Sequence, residues 1–514
     1  MPLTWTAVLD ELRRADLLSS APAAAPDPAG IGVDSRTIER GMLYIAVRGS
    51  QADGHRFVGQ AVSRGAGAIV VEAPQQSGVP EIVVRDSRHS ALALGAAWYG
   101  HPGRCLSLVG VTGTNGKTTT TGLIRHLFNE ENGAGSIGTL GAFDGRDLPV
   151  SSTAGSLTTP GPIDLQATLA AMVQRGVTHV AMEASSHSLD QGRLDGLAFA
   201  AGVFTNLTRD HLDYHGTMEA YLSAKLRLSA LIRLGGLEVV NLDEDAWQGM
   251  PARTGRLTFG VHPAADVRAT DIVLDAAGSR FHMSGRFGPT DVSLPLLGDF
   301  NVANALAAAA TALGLGRPVA HVVERLAGAP QVPGRMERIA ETPCIVLRDY
   351  AHTPDALERA LTSLRPLTSG RLIVVFGCGG DRDKGKRPIM GRIAAEHSDL
   401  AIATSDNPRT EDPGGIIDDI EQGMGGMPHL RIPDRLVAIH AALNEAHAGD
   451  TVLLAGKGHE TYQVIGTEKL PFDEREISPG RLAPASTIRA SVSAGASRTV
   501  SGTPTRLLRL ARVA

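Results

Sequence analysis

The sequence predicts an α/β protein of three domains, and three observations support that prediction. The chain has 514 residues, which is enough for two to four domains that each bury a core. Apolar runs alternate with helical segments, a pattern that indicates mainly parallel sheets covered by helices. The alternation restarts after a linker-like stretch, QVPG at 331–334. We therefore place the domains at 1–104, 105–333 and 334–488, followed by a tail at 489–514.

Composition and charge exclude several classes of protein. A net charge of −5, with 4% aromatic residues and no large basic block, argues against a nucleic-acid binder. The cysteines Cys105, Cys344 and Cys378 lie far apart, so they form neither a metal motif nor a disulfide framework. No apolar run reaches transmembrane length, and the N-terminal segment is a charged amphipathic helix rather than a signal peptide. We therefore expect a cytoplasmic protein without membrane insertion.

The first two domains differ in their patterns. The first is predicted to be mixed α/β, with strands at 31–36, 43–47 and 68–71 and a linker, HPG, at 101–103. The second follows the strand, loop, helix pattern of a mainly parallel sheet. Its predicted strands lie at 106–111, 179–182, 202–205 and 237–241, and an Ala-rich helix is predicted at 303–315.

The third domain has four predicted strands, and each of them ends in a polar loop. The strands are at 345–348, 372–376, 400–403 and 451–454. The loops that follow are DYAHTPD, GCGGDRDKGKRP, SDNPRTEDP and AGKGHETYQ. Ligands of open α/β sheets bind beyond the carboxyl ends of the strands. This Rossmann-like pattern therefore predicts that the four loops converge on one crevice.

A glycine-rich turn, GTNGKTT at 113–119, follows the first strand of the second domain. The N–H groups of such a turn bind phosphate, and the N-terminus of the next helix adds partial positive charge. Lys117 is predicted to reach the terminal phosphates, and the Thr118 hydroxyl to reach Mg²⁺. The usual first glycine of a P-loop is replaced by Val111. A turn without a nucleotide is the alternative. The predicted ATP contacts are Gly113, Thr114, Asn115, Gly116, Lys117, Thr118 and Thr119.

GTNGKTT resembles the nucleotide loop of the Mur ligases and the folylpolyglutamate synthetases. The resemblance implies three domains, with a P-loop-type ATPase domain at the centre, and ATP-dependent formation of an amide bond. It also implies an acyl-phosphate intermediate, in which a substrate carboxylate takes the γ-phosphate and an amine then displaces it. From about residue 25 to 476, the sequence is most similar to Mur ligases that add the third residue of the peptide.

Two segments predict a metal site. Glu183 follows a strand that ends near the phosphate loop, and its alternative is an ordinary surface glutamate. His211 lies in TNLTRDHLDYHG, and its alternative is a histidine bonded within its own loop, because Mg²⁺ is a poor partner for imidazole. The resemblance implies that both belong to the metal site. It also implies that Lys225, in YLSAKLRL, is carbamylated by CO₂ to N6-carboxylysine and supplies oxygen to Mg²⁺. Lys117, Glu183, His211 and Lys225 are the predicted catalytic residues.

The remaining ATP contacts are predicted on both sides of the second linker. Asn301 and Asn304 lie three residues apart, so they share a helix face. The resemblance implies contact with adenine, whereas capping of the helix by Asn301 is the alternative. Arg335 and Asp349 match residues that contact the nucleotide from the C-terminal domain. Thr353 and Pro354 form a predicted helix start that needs neither Asp349 nor His352.

The resemblance also implies which residues bind the UDP-linked substrate, UDP-N-acetylmuramoyl-dipeptide. The first domain resembles one that holds the UDP end, with matching positions at Val33, Ser35, Ser50, Gln51 and Ala52. Ser50 departs from the family, where a histidine is frequent. The muramoyl-dipeptide contacts are matched by Thr158, Thr159, Ser185, Gln191 and Arg193.

The loop SDNPRTEDP contains an arginine that turn formation does not explain. Asp406, Asn407 and Pro408 are typical turn residues, but Arg409 is not. The resemblance implies that Asp406, Asn407 and Arg409 bind the far end of meso-diaminopimelate. A guanidinium suits a carboxylate, and aspartate suits an ammonium. Arg382, Gly456 and Glu460 are implied to orient the reacting end of that substrate. An arginine at the end of a surface strand is the alternative for Arg409.

These features predict an ATP- and Mg²⁺-dependent ligase of peptidoglycan synthesis that acts as a monomer. The predicted ligase joins meso-diaminopimelate to the D-glutamate γ-carboxylate of the UDP-linked substrate. The alternatives are an L-lysine-adding Mur ligase, a folylpolyglutamate synthetase-like ligase, and a nucleotide-binding protein without turnover. Residues after Glu476 include six arginines and no acidic residue, so we expect a disordered tail.

Overall fold

The computed structural model describes residues 3–49, 52–150 and 157–477. The predicted tail at 489–514, and the predicted substrate residues Ser50 and Gln51, lie outside the described residues. The chain divides into two compact units, the first ending at Val332 and the second beginning at Pro333. The first unit contains two large sheets and the second unit contains one. The fold is therefore α/β, with mostly parallel sheets in a three-domain layout.

A five-stranded sheet and three helices form the N-terminal part of the first unit. They are α1 (Trp5–Arg14), β1 (Leu18–Ser20), β2 (Ile31–Gly32), β3 (Leu43–Ile45), α2 (Val58–Ser63), β4 (Ala68–Val71), β5 (Glu81–Val84) and α3 (Ser87–Trp98). The strand order is β1-β5-β4-β3-β2, and β1 is the antiparallel member. Alternate side chains enter two cores, because Val70 packs with α1 and α3 whereas Ile69 packs with α2.

A second, larger sheet occupies the rest of the first unit. Its strands are β6 (Ser107–Thr112), β7 (Ala134–Gly138), β8 (Gly141–Phe143), β9 (His179–Glu183), β10 (Phe199–Phe204), β11 (Ile232–Asn241), β12 (Arg256–Gly260), β13 (Val267–Asp275), β14 (Gly278–Gly285) and β15 (Thr290–Leu294). Its helices are α4 (Lys117–Phe128), α5 (Pro162–Gln174), α6 (Ser186–Asp190), α7 (Leu212–His215), α8 (Met218–Leu231), α9 (Asp299–Gly314) and α10 (Val319–Ala327).

The centre of this sheet is parallel and its ends are antiparallel. The order is β15-β14-β13-β12-β11-β10-β6-β9-β7-β8, with antiparallel pairs at β13-β14, β14-β15 and β7-β8. Helices α4, α9 and α10 share one core with the sheet, and α5 and α8 share another. Burial on both faces explains why the central strands are apolar throughout. The strand β6, which leads into the glycine-rich turn, lies between β10 and β9.

The second unit is built around a six-stranded sheet. Its elements are β16 (Glu337–Ala340), β17 (Ile345–Asp349), α11 (Pro354–Leu364), β18 (Leu372–Phe376), α12 (Lys386–His397), β19 (Leu400–Ala403), α13 (Pro413–Glu421), β20 (His429–Arg431), α14 (Arg435–Glu445), β21 (Thr451–Ala455), β22 (Tyr462–Ile465) and β23 (Glu468–Pro471). The order is β16-β17-β21-β18-β19-β20, with β16 antiparallel. A separate hairpin joins β22 and β23.

The predicted elements agree with the structure in type more closely than in length. Strands predicted at 68–71, 372–376 and 400–403 coincide with β4, β18 and β19. The strand predicted at 31–36 is shorter, because Asp34 accepts a hydrogen bond from the Arg36 N–H and starts a turn. The Ala-rich helix begins at Asp299 rather than at 303. The alternative that Asn301 caps this helix is wrong, since Asn301 lies inside it and donates to the Leu297 carbonyl.

Within the described ranges, no helix is both long enough and apolar enough to span a membrane.

The start of α11 is as predicted. Thr353 accepts a hydrogen bond from the Ala356 N–H, and Pro354 is the first helical residue. His352 and Asp349 take no part in that cap.

Candidate active site

The glycine-rich turn connects β6 to α4, and its backbone requires two of its glycines. Gly113 has a φ of +147° and Gly116 a φ of +83°, values that residues with a Cβ rarely adopt. A Cβ at Gly113 would overlap the Thr205 hydroxyl, and one at Gly116 would overlap the Asn304 amide. The glycines therefore allow the turn to lie directly against β10 and α9.

Thr205 and Asn206, which follow β10, form hydrogen bonds with the backbone of the glycine-rich turn. Asn206 Oδ1 accepts from the Asn115 N–H at 2.8 Å, and Thr205 Oγ1 donates to the Asn115 carbonyl at 2.7 Å. The Asn206 carbonyl accepts from the Thr114 N–H at 2.8 Å. The sequence analysis missed both residues. The feature that could have identified them is their position: they are polar residues at the end of a strand of the central domain, next to the strand that carries the turn.

Two lysines donate to the same carbonyl of the turn. Lys117 Nζ lies 3.0 Å from the Gly113 oxygen and 2.8 Å from the Thr114 oxygen. Lys225 Nζ, from α8, lies 2.7 Å from the Gly113 oxygen and is almost fully buried. Burial, and secondly the charge of Lys117, hold the pKa of Lys225 well below its usual value, although Asp210 opposes the shift. The structure therefore favours a neutral Lys225 amine beside the phosphate loop.

Glu183 is the last residue of β9 and pairs with Val111 of β6. Its carboxylate is buried and accepts two hydrogen bonds from Thr139, one from the N–H at 2.9 Å and one from the hydroxyl at 3.1 Å. A Cβ at Gly138 would overlap this carboxylate. The carboxylate is therefore fixed next to the strand that carries the phosphate loop. Thr139 was missed, and it follows β7, a strand that the sequence analysis did not predict.

The other predicted metal ligands border the same turn. Thr118 is buried in the first turn of α4, together with Thr119. His211 has a φ of +53°, and its ring lies 6.2 Å from that of Tyr221, whose hydroxyl is 3.2 Å from Thr114 Oγ1. Within the described ranges, no three or more His, Cys, Asp and Glu side chains form a group that could hold a metal ion. Thr118 and a modified Lys225 would have to complete such a site.

Asn301 and Asn304 lie beside the turn, on α9. Asn304 Nδ2 donates to Asn301 Oδ1 at 3.0 Å, and Asn304 Oδ1 accepts from the Thr120 hydroxyl at 3.3 Å. Both asparagines are buried, and Asn304 contacts Gly116 closely enough to exclude a side chain there. Of the two residues predicted to contact adenine, Asn304 therefore packs against the glycine-rich turn, and Asn301 is hydrogen-bonded to Asn304.

The residues predicted to bind the muramoyl-dipeptide form one hydrogen-bonded group next to Glu183. Thr159 Oγ1 donates to the Glu183 carbonyl at 2.8 Å and lies 3.3 Å from Ser185 Oγ. Arg193 donates to the Thr159 carbonyl at 3.0 Å and to Gln191 Oε1 at 2.6 Å. Thr158 accepts from Thr139 at 3.3 Å. The structure therefore connects these side chains to the carboxylate predicted to hold the metal.

The described residues predicted for the UDP end lie in the N-terminal sheet region. Val33 and Ser35 follow β2, and Ser35 Oγ donates to Gln60 Oε1 at 2.7 Å. Ala52 is exposed. Arg88, from α3, joins this region to the dipeptide group, because it donates to the carbonyls of Arg48 and Gln191 at 2.7 and 2.8 Å. This connection was not predicted from the sequence.

In the second unit, Arg335 and Asp349 lie close to one another. Asp349 Oδ2 accepts from the Met336 N–H at 2.7 Å. Burial raises the pKa of Asp349 to about 6, and the charge of Arg335 opposes that rise. The Arg335 guanidinium stacks over Tyr350, 4.7 Å from the ring centre. An arginine and a carboxyl group are thus held together at the end of β17.

Four polar loops meet at the carboxyl edge of the second sheet, because β17, β21, β18 and β19 are neighbours. Lys386 Nζ donates to the His352 carbonyl at 2.8 Å, joining the loops after β18 and β17. Arg409 Nη1 donates to the Gly380 carbonyl at 2.8 Å, joining the loops after β19 and β18. The predicted convergence of these loops is therefore observed.

The loop after β19 places the residues predicted for diaminopimelate. Asn407 Nδ2 donates to Glu460 Oε2 at 2.8 Å. Asp406 lies against Gly456, and the Pro408 carbonyl leaves no space for a side chain at Gly380. Arg382 is exposed, and its guanidinium donates to the Asp381 carbonyl at 3.3 Å.

Arg409 is more tightly constrained than an arginine at the end of a surface strand. Its φ is +52°, its N–H donates to the Val464 carbonyl at 3.1 Å, and its carbonyl accepts from the Gly466 N–H at 2.7 Å. The hairpin of β22 and β23 therefore fixes the backbone of Arg409. Lys457, which the sequence analysis did not single out, lies among the other side chains of this site.

Comparisons with known proteins agree with this architecture. Three family models match: "Mur ligase family, catalytic domain" at 28–97, "Mur ligase middle domain" at 111–312, and "Mur ligase, glutamate ligase domain" at 334–458. A UDP-N-acetylmuramoyl-L-alanyl-D-glutamate–2,6-diaminopimelate ligase of Geobacillus kaustophilus is 44% identical over 88% of this chain and 94% of its own length. A ligase of the same name from Gloeobacter violaceus is 45% identical over 88% of this chain and 93% of its length.

Solved structures give the same result. One, also titled as a UDP-N-acetylmuramoyl-L-alanyl-D-glutamate–2,6-diaminopimelate ligase, is 34% identical, with a TM-score of 0.63 over 96% of this chain and 99% of its own. A folylpolyglutamate synthase of Mycobacterium tuberculosis is 16% identical, with a TM-score of 0.60 over 71% of this chain and 92% of its own, and shares the fold alone. From these matches and the arrangement of the site, the chain belongs to the Mur ligase family.

Proposed function

We propose that this chain is an ATP-dependent ligase of peptidoglycan precursor synthesis. It joins meso-diaminopimelate to the D-glutamate γ-carboxylate of UDP-N-acetylmuramoyl-L-alanyl-D-glutamate and releases ADP and phosphate. The observation that carries the proposal is the arrangement of Asp406, Asn407, Arg409 and Glu460 at one sheet edge, in a chain 44% identical to ligases named for diaminopimelate. The same chain has a glycine-rich turn suited to phosphate.

The reaction proceeds in two steps through an acyl phosphate. A γ-carboxylate oxygen attacks the γ-phosphorus, the bond to the β-phosphate oxygen breaks, and ADP leaves. A neutral amine of diaminopimelate then attacks the acyl carbon, phosphate leaves with its oxygen, and the amine loses a proton. Phosphoryl transfer depends mainly on positioning and electrostatics. The turn N–H groups and Lys117 bind the phosphates, while the group around Arg193 holds the γ-carboxylate near Glu183.

Mg²⁺ and a carbamate on Lys225 complete the proposed site. Thr118, Glu183 and the carbamate supply the oxygen ligands that Mg²⁺ prefers, and His211 lies at the edge of this set. The lowered pKa of Lys225 supports the modification, because a neutral amine adds to CO₂ to form a C–N bond and releases one proton. When bound, Mg²⁺ neutralises negative charge on the phosphate oxygens. Monomeric state and cytoplasmic location remain predictions.

Amine selection is assigned to the second unit. The guanidinium of Arg409 binds the distal carboxylate of meso-diaminopimelate, and Asp406 and Asn407 bind the neighbouring ammonium. Arg382, Gly456 and Glu460 contact the reacting end. L-lysine lacks the distal carboxylate and would leave Arg409 without its partner. Sites built for a polar group reject analogues that lack it by roughly 10⁴-fold, whereas a missing methylene costs only about 10–200-fold.

One assay tests the proposal. ATP-dependent phosphate release is measured with UDP-N-acetylmuramoyl-L-alanyl-D-glutamate and a panel of amines that includes meso-diaminopimelate and L-lysine. Release that depends on meso-diaminopimelate and is far slower with L-lysine is expected. Equal use of both amines would favour an L-lysine-adding ligase. Release that requires a folate instead would favour a folylpolyglutamate synthetase, and ATP binding without any release would favour a protein that only binds nucleotide.

A further inference from the structure

Lys457 is a fully buried cation among the side chains assigned to diaminopimelate. It follows Gly456 in the loop after β21, and none of its surface is exposed. Its Nζ lies 3.1 Å from Asn407 Oδ1, 3.4 Å from Glu460 Oε2 and 3.5 Å from Asp406 Oδ1. Lysines are rarely buried completely unless they are paired. The three groups that pair with this lysine are all predicted to contact substrate.

The ammonium of Lys457 and the Val464 N–H together determine which way the Asn407 amide faces. A lysine ammonium only donates hydrogen bonds, so the amide oxygen of Asn407 must face it. The same oxygen accepts from the Val464 N–H at 2.8 Å. The Asn407 nitrogen is then directed to Glu460 Oε2, at 2.8 Å. The orientation of Asn407, and through it the carboxylate of Glu460, therefore depends on Lys457.

Lys457 also places a positive charge between two carboxylates. Asp406 is buried, and Glu460 keeps 15% of its side-chain surface exposed. Like charges this close repel, and a buried cation between them reduces the repulsion. Asp406 Oδ1 accepts no hydrogen bond from any described residue. It is therefore a buried acceptor available to an ammonium group of the substrate.

A second buried ion pair holds the backbone beneath Lys457. Arg435 and Glu474 are both fully buried, and their closest nitrogen and oxygen atoms are 2.7 Å apart. Arg435 Nη2 donates to the carbonyl of Ala455, the last residue of β21, at 3.0 Å. Ala455 is two residues before Lys457. The position of the lysine is thus set by the core of the domain rather than by ligand.

We propose that Lys457 is a positioning residue for the amine substrate, which orients Asn407 and holds Asp406 and Glu460 in their binding arrangement before diaminopimelate arrives. This inference rests on the proposed function. Lys457 does not contact the substrate, because it has no exposed surface and its ammonium already donates to Asn407 and Glu460 and pairs with Asp406 at 3.5 Å. It contributes to the affinity for the amine and not to the affinity for ATP or for the UDP-linked substrate.

The test compares three substitutions of Lys457 with a matched control. Lys457→Met removes the charge, Lys457→Gln keeps a hydrogen-bond donor without charge, and Lys457→Arg keeps the charge. Arg392→Met is the control, because Arg392 is a half-exposed cation of the same unit, on α12, and pairs with Glu396 of the same helix. For each full-length variant, kcat and the KM values for meso-diaminopimelate, ATP and the UDP-linked substrate are measured from phosphate release, together with the unfolding temperature.

Lys457→Met is expected to raise the KM for meso-diaminopimelate by roughly 10–100-fold, as when a partner that orients a binding group is removed. The KM values for ATP and the UDP-linked substrate should not change. Lys457→Arg should recover part of the loss, Lys457→Gln should resemble Lys457→Met, and Arg392→Met should resemble wild type. If Lys457→Met does not fold, the comparison of the Gln and Arg variants decides the question.

Three outcomes would overturn the inference. A Lys457→Gln variant with the wild-type KM for meso-diaminopimelate would show that the charge is not needed. A parallel rise in all three KM values would show a general structural role. If wild type itself gives no release that depends on meso-diaminopimelate, the proposed function fails and the inference fails with it. If wild type is active with meso-diaminopimelate and the Lys457 variants keep the wild-type KM for it, the inference fails but the proposed function stands.

Discussion

Lys117 and Lys225 both donate to the Gly113 carbonyl, yet their surroundings prepare them for different chemistry. Lys117 begins α4 and is half-buried, where a charged ammonium can reach phosphate. Lys225 is almost fully buried, and burial favours its neutral form. A neutral amine is the form that reacts with CO₂. At the scale of single residues, burial therefore distinguishes a phosphate-binding lysine from one suited to carbamylation.

Lys117→Ala is expected to remove most phosphoryl transfer, because it removes the cation that reaches the terminal phosphates. Loss of one such electrostatic contact costs about 10²–10³-fold in kcat. The measurement is ADP production at saturating concentrations of all substrates. Arg392→Met serves as the control for loss of a cation. Near wild-type ADP production by Lys117→Ala would contradict the assignment of the glycine-rich turn.

Lys225→Ala is expected to lose activity that short carboxylic acids partly restore, because they can place an oxygen anion where the carbamate would lie. Phosphate release with and without added acetate or formate measures the effect. Intact mass of the native wild-type protein should show the added mass of CO₂. An active wild-type enzyme with an unmodified amine, or a variant without any rescue, would contradict the carbamate.

Arg409→Ala is expected to raise the KM for meso-diaminopimelate and to reduce the preference over L-lysine. The guanidinium is the group assigned to the carboxylate that lysine lacks, so removing it should act on selectivity, whose full value is roughly 10⁴-fold for such a site. The measurement is kcat/KM for both amines. The KM for ATP should stay constant. A variant that keeps the wild-type ratio of kcat/KM for the two amines would show that Arg409 has only a structural role.

At the scale of elements, one buried arginine links the helix after β18 to the loop after β19. Arg387, on α12, pairs with Glu411 at 2.9 Å and with Asp419 of α13 at 2.8 Å. Only 1% of its side chain is exposed. Glu411 is two residues after Arg409, so this arginine fixes the loop that we propose selects the amine. The hydrogen bond from Arg387 is the main reason that the pKa of Glu411 is lowered to about 2.

Arg387→Met is expected to destabilise the second unit by roughly 1–3 kcal/mol, because it removes the buried guanidinium that pairs with both Glu411 and Asp419. Glu411 has a lowered pKa in the folded protein. Its stabilising contribution is therefore complete above its ordinary value of 4.5 and is lost as the pH falls towards 2. Unfolding temperatures of wild type and variant, measured between pH 3 and pH 8, should differ most at the higher pH.

Arg392→Met is the matched control for Arg387→Met. Arg392 lies on the same helix and pairs with Glu396 at 2.8 Å, but half of its side chain is exposed. Exposed pairs contribute about 0–1 kcal/mol. The control should unfold close to wild type and keep the KM for meso-diaminopimelate. Equal effects of the two substitutions would show that burial of Arg387 does not matter.

At the scale of the whole molecule, the chain consists of two compact units with separate cores. A protein of this kind is not expected to unfold in a single two-state transition. Calorimetry can therefore follow each unit separately. The residues predicted to bind nucleotide are divided between the units in sequence, since the glycine-rich turn belongs to the first and Asp349 to the second. A carboxyl group such as that of Asp349 can contribute to function while its burial lowers the stability of the folded protein.

Asp349→Asn is expected to stabilise the second unit at pH 8 while reducing ADP production. The folded pKa of Asp349, about 6, is above its ordinary value of 3.8. The folded state therefore favours the protonated form, and the resulting stabilisation is complete below pH 3.8 and lost as the pH rises through about 6. The gain at pH 8 should be on the order of 3 kcal/mol. A difference between variant and wild type that does not vary from pH 4 to pH 8 would contradict this.

The sequence by itself determined the class of the fold, the glycine-rich turn and the four polar loops. These features depend on local patterns: apolar runs, glycines with positive φ, and polar residues at strand ends. The antiparallel strands β13–β15 and the strand β7 were missed, because pairing with a distant partner defines them. The role of Lys225 depended on resemblance, since a lone lysine carries no local signal, whereas Glu183 was indicated by its position at the end of a strand.

Only the tertiary structure decided which side chains lie together and which are removed from water. Thr139, Asn206 and Lys457 are ordinary residues in sequence, and they matter because distant strands bring them against Glu183, Asn115 and Asn407. The low pKa of Lys225 and the raised pKa of Asp349 likewise come from burial by residues far away in the chain. Desolvation and long-range contacts are properties of the packed chain, so no local pattern of residues could have predicted them.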